Sequence, residues 1–359
     1  MRIAFRVDGS TAMGFGHIMR CLALAEQLKQ NHDIYFLSSA LPSNIAAKID
    51  AAGATLILVS IDSVGFDAVD DADSKQLEMW QKLHANECLA HVNEKLDLLF
   101  VDHYQLSAPF SDTMRSKAEQ IVVIDDLANR VHDCDILVDT NFYHDYKTRY
   151  NGLVPAHCQT LLGPTYAFLR GEFFCIDNKM RANNHFLVCF GGSDPTNLTE
   201  RVVDILTALK SSTFTADIIV GPGYQYIHSL LPKIQGLSGL NLHQNCTYMG
   251  SLMQGASFMI GAGGSMHWER AKSGVAGLII TLAENQKETT RALHDQLCCV
   301  WLGNENDIAD EQIQKAISNA LQSPDQMRYL ASNAAKLVEQ NQSPSFVMDT
   351  ISDIVKRNS

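Results

Sequence analysis

Residues 1–30, MRIAFRVDGSTAMGFGHIMRCLALAEQLKQ, decide how the first half of the chain folds. The apolar run 3–7 predicts a buried strand that ends at Asp8, and apolar residues at helical spacing predict a helix opening at His17. The loop between them is rich in glycine, so a ligand can approach its backbone, and the helix N-terminus adds unpaired N–H groups and partial positive charge. The stretch therefore predicts a site for chemistry on a phosphate-bearing small molecule.

Gly14, Gly16 and His17 follow the pattern G-x-G-H, which differs from the G-x-G-x-x-G of dinucleotide-binding proteins. Histidine exchanges a proton near neutral pH, so His17 is the candidate base, and Asp8 either orients it or shapes the loop. A simple tight turn between strand and helix, with His17 bonded only to backbone, remains the alternative interpretation.

Length and composition limit the classes of protein that need considering. A chain of 359 residues predicts two domains, and a net charge of −12 argues against nucleic-acid and anionic-membrane partners. No apolar run approaches 18 residues, which predicts no membrane span, and no leader-like pattern precedes the first strand. Nine cysteines, several within apolar segments, favour free thiols in the cytoplasm, and their spacing predicts no zinc site or other bound metal. Nothing in the sequence calls for a cofactor, and a monomer is compatible with it.

Strand-like and helical patterns alternate along the chain, which predicts an α/β protein with two doubly wound, Rossmann-like parallel sheets. The predicted strands are residues 3–7, 34–37, 55–59, 98–101, 121–124, 136–138, 186–190, 216–220, 240–243, 258–260, 278–281 and 298–302.

The weakly periodic segment 143–180 predicts the domain boundary, which we place between an N-terminal domain, 1–165, and a C-terminal domain, 166–359. Residues 74–96 and the whole of 307–357 have helical patterns. The last helices are candidates for packing back onto the N-terminal domain.

Polar residues follow the predicted strands of the first half, at the edge where such sheets bind ligands. Strand-end acids also cap helices, so about half of these residues are expected to be purely structural. The polar residues that follow the predicted strands are Asp8, Asp102, His103, Tyr104, Asp125, Asp126, Asp139 and Asn141.

The second half supplies candidate nucleotide-binding residues. Gly192 and Ser193 follow one strand, and a second strand enters a turn whose Gly264, Ser265 and Met266 could direct N–H groups at an anion. Glu269 lies one turn into the next helix, where its carboxylate could accept hydrogen bonds from ribose hydroxyls. A capping box between Ser265 and Glu269 is the alternative, weakened by a spacing of four residues rather than three.

Asn285 and Gln286 stand at the start of a further helix, where neutral amides suit sugar hydroxyls or a phosphate. An ordinary Asn N-cap is the alternative. His103 and His267 are lesser candidates, because buried histidines more often make structural hydrogen bonds.

Two such domains, with a G-x-G-H loop in front and a G-G-S…E…N-Q series behind, resemble the GT-B architecture with an interdomain cleft and a helical C-terminus. The MurG-type nucleotide-sugar enzymes share this architecture. In more detail, the chain resembles the family of UDP-2,4-diacetamido-2,4,6-trideoxy-β-L-altropyranose hydrolases of pseudaminic acid biosynthesis. The stretches that carry this resemblance are FRVDGS, MGFGHIMRCLALA, VDHY, IDDLANR, CDILVDTN, LLGPTYAFLRGEF, GGSDPTNLT, AGGSMHWE and ENQ.

The resemblance implies a metal-independent, inverting hydrolase that releases UDP from a UDP-sugar. It implies that His17 activates water, that Tyr104 and Asn285 contact the sugar, and that Glu269 contacts the ribose. We place Asp8, Gly14, Gly16 and Arg20 in the substrate pocket, and Gly192, Ser193, Gly264, Ser265, Met266 and Gln286 around the nucleotide. A glycosyltransferase of the same architecture and a non-catalytic UDP-sugar-binding protein remain the alternatives.

Overall fold

The computed structural model describes residues 1–9, 16–28, 32–39, 41–60, 74–175, 181–182, 184–209, 214–235 and 237–358. The chain forms two compact units. Unit 1 comprises residues 1–141, 145–168 and 345–359, and unit 2 comprises residues 142–144 and 169–344.

Unit 1 is built on a seven-stranded sheet in which every strand pair is parallel. In sequence order its strands are β1 (Arg2–Val7), β2 (Asp33–Ser38), β3 (Thr55–Leu58), β4 (Leu96–Asp102), β5 (Ala118–Ile124), β6 (Ile136–Asp139) and β7 (Gln159–Leu162). Their order in space is β3-β2-β1-β4-β5-β6-β7, so the strand order reverses between β1 and β4.

Helices cover both faces of this sheet, because its central strands are apolar on both sides. The helices described in this part of the chain are α1 (Gly16–Leu28), α2 (Ser43–Ala51), α3 (Ser74–His91) and α4 (Ala108–Met114). The core on one face includes fully buried Phe5, which stacks against Phe36 and Phe100 with ring centroids 5.1 and 4.7 Å away. Truncating such a ring to alanine typically costs about 3–5 kcal/mol.

Unit 2 repeats the plan with six parallel strands. They are β8 (His185–Cys189), β9 (Thr215–Val220), β10 (Leu240–Gln244), β11 (Phe258–Ala262), β12 (Ala276–Thr281) and β13 (Val300–Asn304). The spatial order is β10-β9-β8-β11-β12-β13, so here the order reverses between β8 and β11.

The helices of unit 2 again lie on both faces of the sheet. They are α5 (Leu198–Ala208), α6 (Ile227–Gln235), α7 (Met249–Gly255), α8 (Met266–Lys272), α9 (Glu284–Asp295), α10 (Asp310–Gln322) and α11 (Pro324–Lys336). The last helix, α12 (Phe346–Asn358), places Val347, Met348 and Ile351 in the hydrophobic core of unit 1.

The predicted alternation of strands and helices is confirmed, with corrections in detail. The prediction missed β7, whose four residues at the sheet edge include only one buried side chain and so give little apolar signal. The helix predicted over 74–96 ends at His91, because residues from Leu96 onwards pair with β1 and β5. The helical pattern over 307–357 is interrupted between α11 and α12, and Cys298 and Cys299 precede β13 rather than forming part of it.

Candidate functional site

The two strand-order reversals indicate where each unit can bind a ligand, because ligands of doubly wound sheets bind beyond the strand ends at that point. In unit 1 the reversal brings the end of β1 beside the end of β4. In unit 2 it brings the loop after β8 beside the turn after β11. Apart from Asn285 and Gln286, the described candidate residues lie in or beside these segments or in helices α1 and α8, which follow two of them.

His17 in unit 1 is held by a buried carboxylate. It is the second residue of α1 and 7% exposed, and its Nδ1 lies 2.5 Å from Oδ1 of Asp102, the last residue of β4. Asp102 is 1% exposed. The pair joins residues 85 positions apart and follows from the β1–β4 pairing, which sets the end of β4 beside the start of α1.

Arg20, one helical turn after His17, fixes the charge and geometry of this pair. Its Nε and Nη2 donate to the two oxygens of Asp102, each at 2.6 Å. Nη2 also lies 3.0 Å from Nδ1 of His17. An ionised carboxylate can only accept, so the 2.5 Å contact with Asp102 requires a hydrogen on Nδ1, and the two nitrogens are close because both donate to Oδ1 of Asp102. Nδ1 of His17 therefore carries the hydrogen, and the lone pair of the neutral ring is on Nε2.

Asp102 remains ionised in this arrangement. Burial by itself raises the pKa of a carboxyl group, but the charges and hydrogen bonds of Arg20 and His17 outweigh it and hold the pKa of Asp102 well below its usual range. The thiol of Cys21 also donates to Asp102, at 3.5 Å. An ionised carboxylate bonded to Nδ1 stabilises the imidazolium that forms when Nε2 accepts a proton.

Tyr104 completes the group of side chains around His17. The two rings meet edge to face, with centroids 4.4 Å apart and planes at 87°. The Tyr104 hydroxyl donates to Asp126 at 3.3 Å, and Arg20 lies 3.5 Å from the same carboxylate oxygen. Burial, reinforced by the charge of Asp126, raises the pKa of Tyr104, so this side chain remains a phenol. We call His17, Arg20, Asp102, Tyr104 and Asp126 the histidine cluster.

Asp8 belongs to a separate buried network and does not orient His17. It forms a two-pronged ion pair with Arg6, at 2.8 and 2.7 Å, accepts from the Ser39 N–H at 2.7 Å, and contacts His103 at 3.2 Å. Arg6 is fully buried and also donates to His84 at 2.8 Å. The partners of Asp8 therefore tie β1 to β2 and to the loop after β4, which corrects the expectation that it could orient the base.

The glycines of the first loop are only partly described. Gly14 lies outside the described residues. Gly16 begins α1, and, leaving aside its chain neighbours and the backbone of α1, no described residue has a heavy atom within 4 Å of the position that its Cβ would take. Internal packing of the described residues therefore leaves room beside Gly16, one residue before the histidine.

In unit 2, Glu269 lies in the first turn of α8 and its carboxylate is 18% exposed. It contacts Arg170 at 3.3 Å, and Arg170 pairs with Glu172 at 2.7 Å. Glu172 in turn accepts from the Gly250 N–H at 2.8 Å. Burial raises the pKa of Glu269, and Arg170 opposes that shift. Arg170 is thus a partner of the predicted ribose acceptor that the sequence analysis did not select.

The turn before α8 has the features of an accessible backbone site. Gly264 adopts a φ of +87°, which favours glycine, and Ser265 is exposed. Ser265 is the N-cap of α8 but makes no side-chain capping bond, so the structure does not form the alternative capping box. The N–H of His267 donates to the Gly264 carbonyl at 3.0 Å and so closes the turn. Met266 follows Ser265 as the first helical residue.

Gln286 lies against this turn. Its Oε1 accepts from the Leu282 N–H at 2.9 Å, which assigns the carboxamide orientation. Nε2 then lies 3.8 Å from the position that a Cβ of Gly264 would take, and Oε1 lies 3.3 Å from that of Gly263, so the carboxamide packs against the turn. Asn285 is exposed and is the second residue of α9, whose N-cap is Ala283, so it is not the N-cap.

Gly192 and Ser193 shape the other loop at the reversal of unit 2. Gly192 is exposed, and its carbonyl accepts from the Gly223 N–H at 2.9 Å. A Cβ at Gly221 would stand 2.5 Å from the Cα of Gly192, so the loops after β8 and β9 touch backbone to backbone. Asp194 caps α5 through the Leu198 and Thr199 N–H groups, at 2.9 and 2.8 Å.

The two lesser histidine candidates make internal hydrogen bonds. His103 accepts from the Gln105 N–H at 3.1 Å, so its Nε2 carries the hydrogen that faces Asp8. His267 contacts Arg270 and Thr290, each at 3.1 Å, and burial lowers its pKa well below the usual range. In the part of the chain that is described, no group of three or more His, Cys, Asp or Glu side chains is arranged to hold a metal ion.

Solved structures identify the fold as GT-B. MurG of Acinetobacter baumannii matches with a TM-score of 0.65 at 15% identity, over 98% of this chain and 99% of that one. The calicheamicin glycosyltransferase CalG4 gives 0.63 at 14% identity, over 99% and 98%. The UDP-GlcNAc 2-epimerase of Neisseria meningitidis, solved with UDP-GlcNAc bound, gives 0.54 at 10% identity, over 98% and 100%. At such identities the likeness shows the fold alone.

Curated sequences supply closer relatives. The chain is 28% identical over 211 residues to the UDP-2,4-diacetamido-2,4,6-trideoxy-β-L-altropyranose hydrolase of Campylobacter jejuni, covering 58% of this chain and 67% of that protein. It is 24% identical over 339 residues to the spore coat polysaccharide biosynthesis protein SpsG of Bacillus subtilis, covering 90% of each. An uncharacterized protein of Methanocaldococcus jannaschii is 26% identical over 304 residues, but the match spans only 57% of its length.

These relatives bear out the resemblance to the UDP-sugar hydrolase at the level of sequence similarity. No family model matches the chain. Within the described residues, no helix combines the length and the apolarity needed to cross a membrane.

Proposed function

We propose that this chain is an enzyme that hydrolyses a UDP-linked diacetamido-trideoxy sugar, UDP-2,4-diacetamido-2,4,6-trideoxy-β-L-altropyranose, to the free sugar and UDP. The observation that carries the proposal is the buried His17–Asp102 pair at the strand-order reversal of unit 1. The similarity to the Campylobacter hydrolase supports the choice of substrate and a role in pseudaminic acid biosynthesis.

The proposed chemistry begins at Nε2 of His17, which accepts a proton from water. The water oxygen attacks the anomeric carbon from the face opposite UDP, and the bond between that carbon and the phosphate oxygen breaks. Its electron pair leaves with UDP, and the configuration at carbon inverts. Asp102 holds the ring in the required tautomer and stabilises the imidazolium, and Arg20 keeps Asp102 ionised.

In this proposal, the nucleotide binds to unit 2. Glu269 accepts hydrogen bonds from the ribose hydroxyls, and its pairing with Arg170 supports this by holding the carboxylate in one orientation. The backbone N–H groups of Gly192, Ser193, Gly264, Ser265 and Met266, with the Nε2 amide of Gln286, supply donors for the diphosphate, and Gly192 and Ser265 are exposed. Because several N–H donors at glycine turns and helix N-termini can hold a diphosphate, the proposal needs no metal ion at this site.

The remaining predicted residues divide between sugar contact and support. We assign the sugar to Tyr104, whose ring touches His17, and to Asn285, and we keep Gly14 and Gly16 in the sugar pocket as the sequence predicts. Arg20 and Asp8 take supporting roles, because their charged groups are engaged with Asp102 and with Arg6. We further propose that the enzyme acts in the cytoplasm, with no nucleic-acid or membrane partner.

Incubation of the purified protein with the UDP-sugar alone tests the function. Release of free UDP over many turnovers, with no added acceptor, is the expected result. A glycosyltransferase would release UDP only when an acceptor is added, and a non-catalytic binding protein would retain the UDP-sugar unchanged. UDP-GlcNAc serves as the matched control substrate, because it has the same nucleotide with a different sugar.

A further inference from the structure

Two thiols of unit 1 lie side by side away from the histidine cluster. The sulfurs of Cys134 and Cys158 are 3.6 Å apart, and both residues are free cysteines. Cys134 is fully buried and Cys158 is partly exposed, so solvent can reach one member of the pair.

The backbone on both sides of this thiol pair is firmly held. Cys134 and Cys158 lie just before the neighbouring strands β6 and β7, and the Gln159 N–H bonds to the Asp135 carbonyl at 2.9 Å. Arg115 clamps the residues flanking Cys134, with contacts of 2.8 Å to Asp133 and 2.9 Å to Asp135. The sulfurs thus need to approach by about 1.5 Å to reach the roughly 2.05 Å bond of a disulfide, a movement within the reach of side-chain rotation.

We propose that Cys134 and Cys158 form a modification site at which a hydroperoxide produces an intrachain disulfide. The thiolate of the partly exposed Cys158 attacks hydrogen peroxide, and the O–O bond breaks to give the Cys158 sulfenic acid and hydroxide, which takes up the thiol proton as water. The Cys134 sulfur then attacks the Cys158 sulfur and expels a second water. Two thiols are oxidised and one peroxide is reduced to two waters.

The bridge would close a loop whose ends are 24 positions apart and which contains Asp139, Arg149 and Tyr150. The Tyr150 hydroxyl bonds to Asp125 at 2.9 Å and to Asp139 at 3.2 Å, and Arg149 bonds to Asp139 at 2.6 Å. Linking the ends of this loop restricts the unfolded chain, so the oxidised protein should be at least as heat-stable as the reduced one.

The test treats the reduced protein with hydrogen peroxide, quenches it with catalase, blocks remaining thiols with N-ethylmaleimide and maps peptides without reduction. The expected result is a cross-linked peptide that contains Cys134 and Cys158, is two hydrogens lighter than the two thiol peptides, and is lost on dithiothreitol treatment. The melting temperature should be equal or up to a few degrees higher. Cys175, which is exposed, reports general oxidation in the same sample.

Single Cys134→Ser and Cys158→Ser variants serve as matched controls and should lack the cross-link. The proposal is overturned if Cys158 proceeds to a sulfinic acid, or stays a blocked thiol, while Cys134 is recovered as a thiol. It is equally overturned if the cross-linked protein melts several degrees below the reduced protein, since the bridge would then distort the fold.

Discussion

The two units share one sheet topology around the strand-order reversal, yet their polar groups at that point differ in kind. In unit 1 the reversal is occupied by buried, charged side chains, with Asp102 held between His17 and Arg20. In unit 2 it is formed by glycine turns that include the exposed residues Gly192 and Ser265. The buried acid there, Asp194, is bonded to backbone N–H groups of α5, and Glu269 is partly exposed.

This difference separates two physical tasks. A base needs a fixed tautomer and a carboxylate that stays ionised, which requires side chains held by several bonds. A diphosphate needs several donors directed at one place, which backbone amides supply without a buried charge. One topology can serve both tasks, because the loops at the reversal differ while the sheet does not.

If the two tasks are separate, the largest expected effect is that of His17→Ala on turnover. Removing a general base should lower turnover by about 10²- to 10⁴-fold. The dissociation constant for UDP should stay within about twofold, because the proposed nucleotide contacts are all in unit 2. Steady-state kinetics and calorimetry with UDP measure the two quantities. Turnover within threefold of the wild type would remove His17 from the mechanism.

Asp102→Asn should lower turnover by about 10²-fold or more, because the amide does not favour the required tautomer or stabilise the imidazolium. The variant also changes the response to acid. The pKa of Asp102 is depressed in the folded protein, so its stabilising contribution is present above about pH 4 and is lost as the pH falls below that.

Denaturant titrations at several pH values would measure that response. The wild type should lose more unfolding free energy below about pH 4 than Asp102→Asn does. Asp126→Asn, which alters the same cluster without touching Nδ1 of His17, is the matched control. Equal turnover losses in the two variants would contradict the special role given to Asp102.

In unit 2, Glu269→Ala should weaken UDP binding by about ten- to a hundredfold, since hydrogen bonds to a charged acceptor contribute about 1.5–3 kcal/mol. Glu269→Gln, which keeps one acceptor oxygen, should lose less. Calorimetry measures the dissociation constants of both variants. Parallel titrations with UMP and uridine, which both contain the ribose, test whether the affinity loss arises from contacts with the ribose. An unchanged UDP constant in the alanine variant would exclude Glu269 from the nucleotide site.

The smallest expected effect is that of chelation. Because the diphosphate is assigned to amide donors of unit 2, excess EDTA should leave the initial rate unchanged within error. Initial rates with and without EDTA, followed by addition of Mg²⁺ or Mn²⁺, provide the measurement. Loss of activity that either ion restores would mean that a metal, and not the backbone, neutralises the phosphates.

Much of the fold could be predicted from the sequence, because its central strands are long apolar runs that need no partner to be recognised. The run 186–190, for instance, corresponds closely to β8. The edge strand β7 could not be found in this way, because its four residues include only one buried side chain, give little apolar signal and depend on pairing with β6.

The sequence could predict which strand ends and loops contain the site residues, but not which side chains those residues contact. Asp8 and Asp102 both end apolar strands, and sequence alone gives no reason to prefer either as the acid that holds His17. The choice depends on Arg6, which engages Asp8, and on the β1–β4 pairing, which sets Asp102 beside α1. The sequence analysis did not select Arg170 for the same reason, because its contact with Glu269 joins residues 99 positions apart.

The central claim is that water activated by His17 attacks the sugar carbon, and hydrolysis in H₂¹⁸O tests it most directly. Mass spectrometry of the released UDP, with NMR of the first sugar anomer formed, gives the readout. We predict that UDP contains no ¹⁸O, that the sugar is released with inverted configuration, and that His17→Ala releases little of either product. Heavy oxygen in the β-phosphate of UDP would place the attack at phosphorus and contradict the account.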